Sequence, residues 1–142
     1  LERGYHVRAM ARSEYPELAA LGAECIRGDI ADLSSCISAV EGCDIVYHVA
    51  AKAGVWGSYE SYHQSNVVGT QNIVQACLDK AVPKLVYTST PSVIHAGGDV
   101  EGVDESLPYP DHFETHYPKT NEEDAKRSCN KRDDNCKRRG RI

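Results

Sequence analysis

An α/β fold with a doubly wound parallel sheet is predicted by two features of the sequence. Short apolar runs alternate with helical patterns in the order β-α-β-α-β-α-β. The spacing between runs also requires crossover connections, which lay helices on both faces of a parallel sheet. With 142 residues, 41% of them hydrophobic and 26% charged, the chain has the size and balance of one globular domain.

The elements follow in order. Tyr5 to Ala11 alternates and ends in polar residues, as a strand does. A short helix from Pro16 to Leu21 stops at Gly22. Ala23 to Gly28 forms a second strand, closed by Gly28-Asp29. Leu33, Ile37 and Val40 recur at helical spacing over residues 33 to 40, with Gly42 just beyond as a stop. The strongest strand is Asp44 to Ala51, apolar at nearly every position, as expected of a strand covered on both faces. A long helix over about Tyr59 to Lys80 carries an apolar stripe of Val67, Val68, Ile73, Val74, Cys77 and Leu78. Pro83 ends it, and Lys84 to Thr90 is another buried-type strand. The polar stretch Gly97 to Pro118 reads as a loop, and Tyr117 to Lys126 begins a helix. Residues 1–127 are therefore assigned to the domain and 128–142, with a single aliphatic residue, to a basic, aberrant or disordered tail.

Composition excludes some classes. No run reaches the roughly 18 apolar residues of a membrane span, and the first residues do not form a signal peptide, so a cytoplasmic setting is expected. The six cysteines form no C-x-x-C pair and have no histidine at zinc spacing; buried or half-buried thiols are expected, and no metal. Six of the basic and two of the acidic side chains lie in 128–142, leaving an acidic body in a chain of net charge −5. The tail has no aromatic residue to stack on bases, so no nucleic-acid partner is expected.

In a doubly wound sheet, ligands bind beyond the carboxyl ends of the strands, which directs attention to the residues after Ala11, Gly28, Val49 and Tyr87. Several segments there resemble a known family: Arg27-Gly28-Asp29-Ile30, Val46 to Ala51, Asn66-Val67-Val68-Gly69-Thr70-Gln71-Asn72, Val86 to Val93, and Asp104 to Tyr109, followed by Tyr117. Spanning about 120 residues in the family's order, they resemble the extended short-chain dehydrogenases of the NAD-dependent epimerase/dehydratase superfamily, in particular the 3β-hydroxysteroid dehydrogenase and sterol-4α-carboxylate dehydrogenase-like branch.

That resemblance implies a Rossmann-like domain and an NAD(P) cofactor. Asp29 and Ile30 would lie beside the adenine, although Gly28-Asp29 also suits a turn or a helix cap. Val49, Ala50, Ala51 and Lys52 would pass under the cofactor ribose. Arg12 and Ser13 stand where an NAD-preferring relative would carry an acid, which tilts the expectation towards NADP; a solvated arginine is the plain alternative. Tyr117 would be the acid/base and Thr90 the hydroxyl that hydrogen-bonds the substrate oxygen, with Ser89 and Ser92 as neighbours. The family's lysine, four residues after the tyrosine, is replaced by Asn121; Lys119 lies only two residues on.

The resemblance also implies a first strand and a Gly-x-x-Gly-x-x-Gly phosphate turn, neither present in the 142 residues, and a C-terminal substrate region. Without that central strand, both flanking strands would have open edges. The expected protein is a fragment of an oxidoreductase acting on a secondary alcohol or ketone, with a small apolar steroid or long-chain β-keto substrate, inactive as it stands. Two alternatives remain open: a non-catalytic nucleotide-binding relative, and a sugar-nucleotide epimerase or dehydratase. Oligomeric state is not legible.

Overall fold

The computed structural model describes residues 2–94, 109–113 and 115–130, with side chains up to residue 123 in the last segment. The strands are β1 (Arg8–Ala11), β2 (Glu24–Arg27), β3 (Ile45–His48) and β4 (Lys84–Tyr87). Between them run the helices α1 (Pro16–Ala20), α2 (Leu33–Val40), α3 (Tyr59–Tyr62) and α4 (Gly69–Asp79). A 3-10 turn, Pro91–Ile94, follows β4, and α5 spans His116–Asn130.

The alternation of strand and helix is as the sequence indicates, and the pairing is parallel. β1 aligns Arg8 with Glu24 through Ala11 with Arg27, and β3 aligns Ile45 with Lys84 through His48 with Tyr87. The four strands nevertheless form two separate two-stranded ladders, as expected of a doubly wound sheet without its central strand. Each strand pairs over four residues, so Val49, Ala50 and Ala51, read as part of a strand, lie beyond the ladder.

One helical layer serves both ladders. α2 and α4 pack on each other through Cys36, Val40, Ile73, Ala76 and Cys77, with Val82 closing the cluster and Met10, Ile30, Val46 and Leu85 resting on it. Burying these side chains, at about 1.5–3 kcal/mol for each large aliphatic, is the main favourable term. Asp32 caps α2: its carboxylate accepts from the amides of Ser34 and Ser35 and from both hydroxyls, the Ser35 hydroxyl first among them, which lowers its pKa to about 2. Gly69 lets α4 approach the chain after β2, since a Cβ there would stand 2.6 Å from Ile30 Cδ1.

Three expectations need correction. β3 is not covered on both faces: Val46 and His48 point into the helical layer, whereas Ile45, Tyr47 and Val86 are exposed because no described element packs on their side. The long helix is interrupted by a π-helical turn over His63–Val68, a widened backbone that periodicity alone does not reveal. The expected loop ends earlier, because α5 starts at His116 and holds Pro118 in its first turn, where no intrahelical N–H is needed. α5 runs on to Asn130, and residues 131–142, most of the stretch expected to form the tail, lie outside the described ones.

Of the cysteines, Cys36 and Cys77 are buried and Cys43 is half-buried, but Cys25 is exposed on the outer strand β2. Burial raises the Cys36 thiol to about 11 and keeps it protonated. No helix among the described residues is long and apolar enough to cross a membrane.

Candidate functional site

The carboxyl ends of β1, β2 and β3 carry the residues expected at a cofactor. Arg12 follows β1 and is exposed. Asp29 is exposed after β2, and its Oδ1 accepts from the Ala31 amide at 2.9 Å, an Asx turn; the cap of α2 is Asp32, not Asp29. Ile30 turns inward against Gly69, and its carbonyl accepts from Asn72 Nδ2 at 2.9 Å. Val49, Ala50 and Ala51 are exposed beyond β3 and leave that surface open to a planar ligand.

Lys52 is where this edge is fastened. Its amide donates to Asn66 Oδ1 at 2.7 Å, its carbonyl accepts from Asn66 Nδ2 at 3.1 Å, and the same Nδ2 donates to Thr120 Oγ1 at 3.0 Å. Asn66 is 2% exposed and sits in the π-helical turn. One amide side chain therefore ties the segment after β3 to the first turn of α5. The Lys52 ammonium donates to Ser61 Oγ at 2.7 Å and lies 5.0 Å from the centre of the Tyr62 ring. α5 is further held by Tyr59, whose hydroxyl donates to the Glu123 carboxylate at 3.0 Å and whose ring meets His116 edge-on at 5.6 Å.

Tyr117 lies in the first turn of α5, half-buried. Its carbonyl accepts from Asn121 Nδ2 at 2.8 Å, while Asn121 Oδ1 accepts from the Tyr87 hydroxyl at 3.3 Å. Asn121 is 2% exposed and works as an internal polar pin. Because the helix begins before Tyr117, Lys119 lies on another side of it, with its ammonium 5.0 Å from the centre of the Tyr59 ring. Thr90 reaches α5 through the Pro91–Ile94 turn, which packs on that helix; its hydroxyl donates to Ser92 Oγ at 3.2 Å and accepts from the Ser92 amide at 3.3 Å. Ser89 Oγ is buried without a hydrogen-bond partner among the described residues. Asp104 to Pro108 lie outside the described residues.

Asn66, Thr70 and Asn72 belong to a segment that resembles the family, which implies no role for them. All three prove to be polar residues on the inner side of the helix that reach the backbone or a buried ring. His48, within the Val46 to Ala51 segment, likewise carried no implied role. It is 3% exposed at the end of β3, its Nε2 lies 2.7 Å from Thr70 Oγ1, and burial lowers its pKa to about 4. A neutral imidazole there fixes β3 to α4.

Comparison with known proteins places these features in a family. Residues 6–137 match the model of the 3-beta hydroxysteroid dehydrogenase/isomerase family. Among curated relatives, a 2-alkyl-3-oxoalkanoate reductase of Stenotrophomonas maltophilia is 51% identical over 122 residues, covering 84% of this chain and 37% of that protein. A 3 beta-hydroxysteroid dehydrogenase/Delta 5-->4-isomerase of Mycobacterium tuberculosis is 37% identical, covering 84% of this chain and 34% of that protein. The chain thus spans little more than a third of the length of these relatives. Among solved structures, MoeE5 in complex with UDP-glucose and NAD aligns with a TM-score of 0.74 at 27% identity, over 91% of this chain and 42% of that one. The UDP-glucose 4-epimerase of Thermus thermophilus, in complex with NAD, aligns with a TM-score of 0.73 at 26% identity, over 89% of this chain and 42% of that one. The chain belongs to the 3-beta hydroxysteroid dehydrogenase/isomerase family, within the NAD-dependent epimerase/dehydratase superfamily and with a partial Rossmann-like fold.

Proposed function

We propose that this chain is the cofactor-side portion of an NAD(P)-dependent oxidoreductase that interconverts a secondary alcohol and a ketone on a steroid or long-chain β-keto substrate. The observation that carries the reading is the Asn66 clamp, which joins the segment expected under the cofactor to the helix bearing Tyr117. The open surface formed by Arg12, Asp29 and 49–51 fits a dinucleotide lying across the strand ends. Arg12 favours a 2′-phosphate and hence NADP. A bound nicotinamide would supply or take the hydride at the carbon that bears the substrate oxygen. In the direction of reduction, Tyr117 gives its phenolic proton to the carbonyl oxygen, and Thr90 hydrogen-bonds the same oxygen.

The reductase reading is preferred to sugar-nucleotide chemistry because curated reductases are 51% and 48% identical, whereas MoeE5 and the Thermus epimerase are 27% and 26% identical. Asn121 favours low turnover in the chain as it stands, and it is also the feature that supports a non-catalytic relative. Its amide is fully engaged by Tyr87 and Tyr117 and brings no positive charge to the phenol. Loss of NADPH absorbance with a 2-alkyl-3-oxoalkanoate, compared between this chain and Asn121→Lys, is the test. The lysine form is expected to turn over about a hundredfold faster, at the lower end of the ~10²–10⁴-fold range of acid–base assistance. Equal, measurable rates would remove the argument from the lost lysine, and failure of either form to bind NADPH at millimolar concentration would contradict the oxidoreductase reading.

A further inference from the structure

The loop 53–57, between β3 and α3, ends in the most exposed large apolar side chain of the described residues: Trp56 is 88% exposed and its neighbour Val55 66%. The backbone of this loop is fastened from beneath. The hydroxyl of Tyr62, a residue 1% exposed, donates to the Trp56 carbonyl at 3.1 Å. Two glycines bracket the tip, Gly54 at φ +108 and Gly57 at φ +138, which side-chain-bearing residues rarely adopt. A Cβ on Gly57 would stand 3.1 Å from Lys52 Nζ and 3.2 Å from both Ser61 Oγ and Tyr62 Cε2. The result is a fixed two-residue apolar tip with an ammonium at its foot.

Its place in the fold is equally specific. The Tyr62 ring that holds the tip also lies 6.0 Å from the His116 ring, one residue before Tyr117, and Lys52 follows the segment expected under the cofactor. The tip is thus linked through Tyr62 to the start of the helix that bears Tyr117. We propose that Val55 and Trp56 form a subsite for the alkyl chain of a 3-oxo or 3-hydroxy alkanoate, with Trp56 determining chain-length preference. This rests on the oxidoreductase reading for its substrate class. The named chemistry follows from a pairing of apolar surface with a nearby cation, which suits a carboxylate-bearing chain, and from relatives named 2-alkyl-3-oxoalkanoate reductase at 51% and 48% identity.

Trp56 is the single tryptophan of the sequence, so its fluorescence reports this site alone. The chain is titrated with 3-hydroxyhexadecanoate and with 3-hydroxybutyrate below micellar concentrations, and emission and acrylamide quenching are followed, with NADPH titrated in parallel. Each methylene buried on the indole strengthens binding by about fourfold at most. The long chain is therefore expected to shift emission to the blue, shield the indole from acrylamide and bind at least tenfold tighter than the short one. Trp56→Ser, read by calorimetry, is expected to weaken the long chain at least fivefold. A response independent of chain length overturns the subsite, as does a blue shift that follows protein concentration without ligand, which would mark the tip as a contact between copies. NADPH binding with a silent Trp56 overturns the subsite alone; a chain-length response without NADPH binding overturns the oxidoreductase reading and leaves the subsite standing.

Discussion

Asn66→Ala removes three hydrogen bonds at once, and the cost can be worked from their partners. The amide and carbonyl of Lys52 lose the side chain that satisfies both, at 2.7 and 3.1 Å. Thr120 Oγ1 loses a donor but keeps the carbonyls of His116 and Tyr117 at 2.9 and 3.1 Å. A buried polar group left unpaired costs about 1–3 kcal/mol, and Lys52 is only half-buried, so water recovers part of this. Two orphaned peptide groups give a loss of roughly 2–4 kcal/mol, a large share of the ~5–15 kcal/mol that holds a domain folded. Urea denaturation followed by circular dichroism measures it, and hydrogen exchange at the Lys52 amide localises it. Asn66→Asp provides a shape-matched comparison. It keeps an acceptor for the Lys52 amide but turns an acceptor towards the Lys52 carbonyl and Thr120, where only a protonated carboxyl can donate. Its folded-state pKa is therefore raised, so the damage is greatest at neutral pH and eases as pH falls through that value. An Asn66→Ala loss under ~0.5 kcal/mol, or unchanged exchange at Lys52, would refute the clamp.

Two further outcomes are expected. The folded chain resists protonation of His48 until about pH 4, whereas the unfolded chain takes up the proton near 6.5. Stability that is fully present above pH 6.5 therefore falls by about 3 kcal/mol by pH 4. His48→Gln, which can still bond Thr70, is expected to flatten that part of the pH dependence of the urea midpoint; an identical slope in both proteins would show that His48 does not titrate in this way. Gly69→Val drives a side chain into Ile30, whose Cδ1 and Cγ1 stand 2.6 and 2.8 Å from the new Cβ. Overpacking of this kind costs about 1–3 kcal/mol by chemical denaturation, and unchanged stability would mean that Ile30 moves freely.

Much of this was legible in the sequence because it depends on periodicity. The stripe through Val67, Ile73, Val74 and Cys77 marked a helix from Tyr59, and the structure buries all four. Gly42 follows the helix it was expected to stop. Features set by a single long-range contact were not legible. Asn66 sits in the π-helical turn and bonds Lys52 fourteen residues back, a distance that no local pattern encodes. The open face of β3 was misread because Ile45, Tyr47 and Val49 are as apolar as covered residues, and a continuous apolar run carries no sign of which face is covered. The replacement of lysine by Asn121 was visible at once, but not its bond to Tyr87, which lies thirty-four residues back on β4. Trp56 drew no attention because a lone aromatic in a glycine-flanked loop has no periodicity to break.

The proposed function requires a nicotinamide dinucleotide to lie across the carboxyl ends of β1, β2 and β3. Backbone amide shifts of the isotopically labelled chain, recorded during NADPH addition, test it most directly. Shifts are expected to concentrate at Arg12, Asp29-Ile30 and Val49 to Lys52, at millimolar cofactor, because no glycine turn within the 142 residues supplies a phosphate grip. Amides at those positions that stay unmoved while others shift, or a spectrum unchanged throughout the titration, would contradict it.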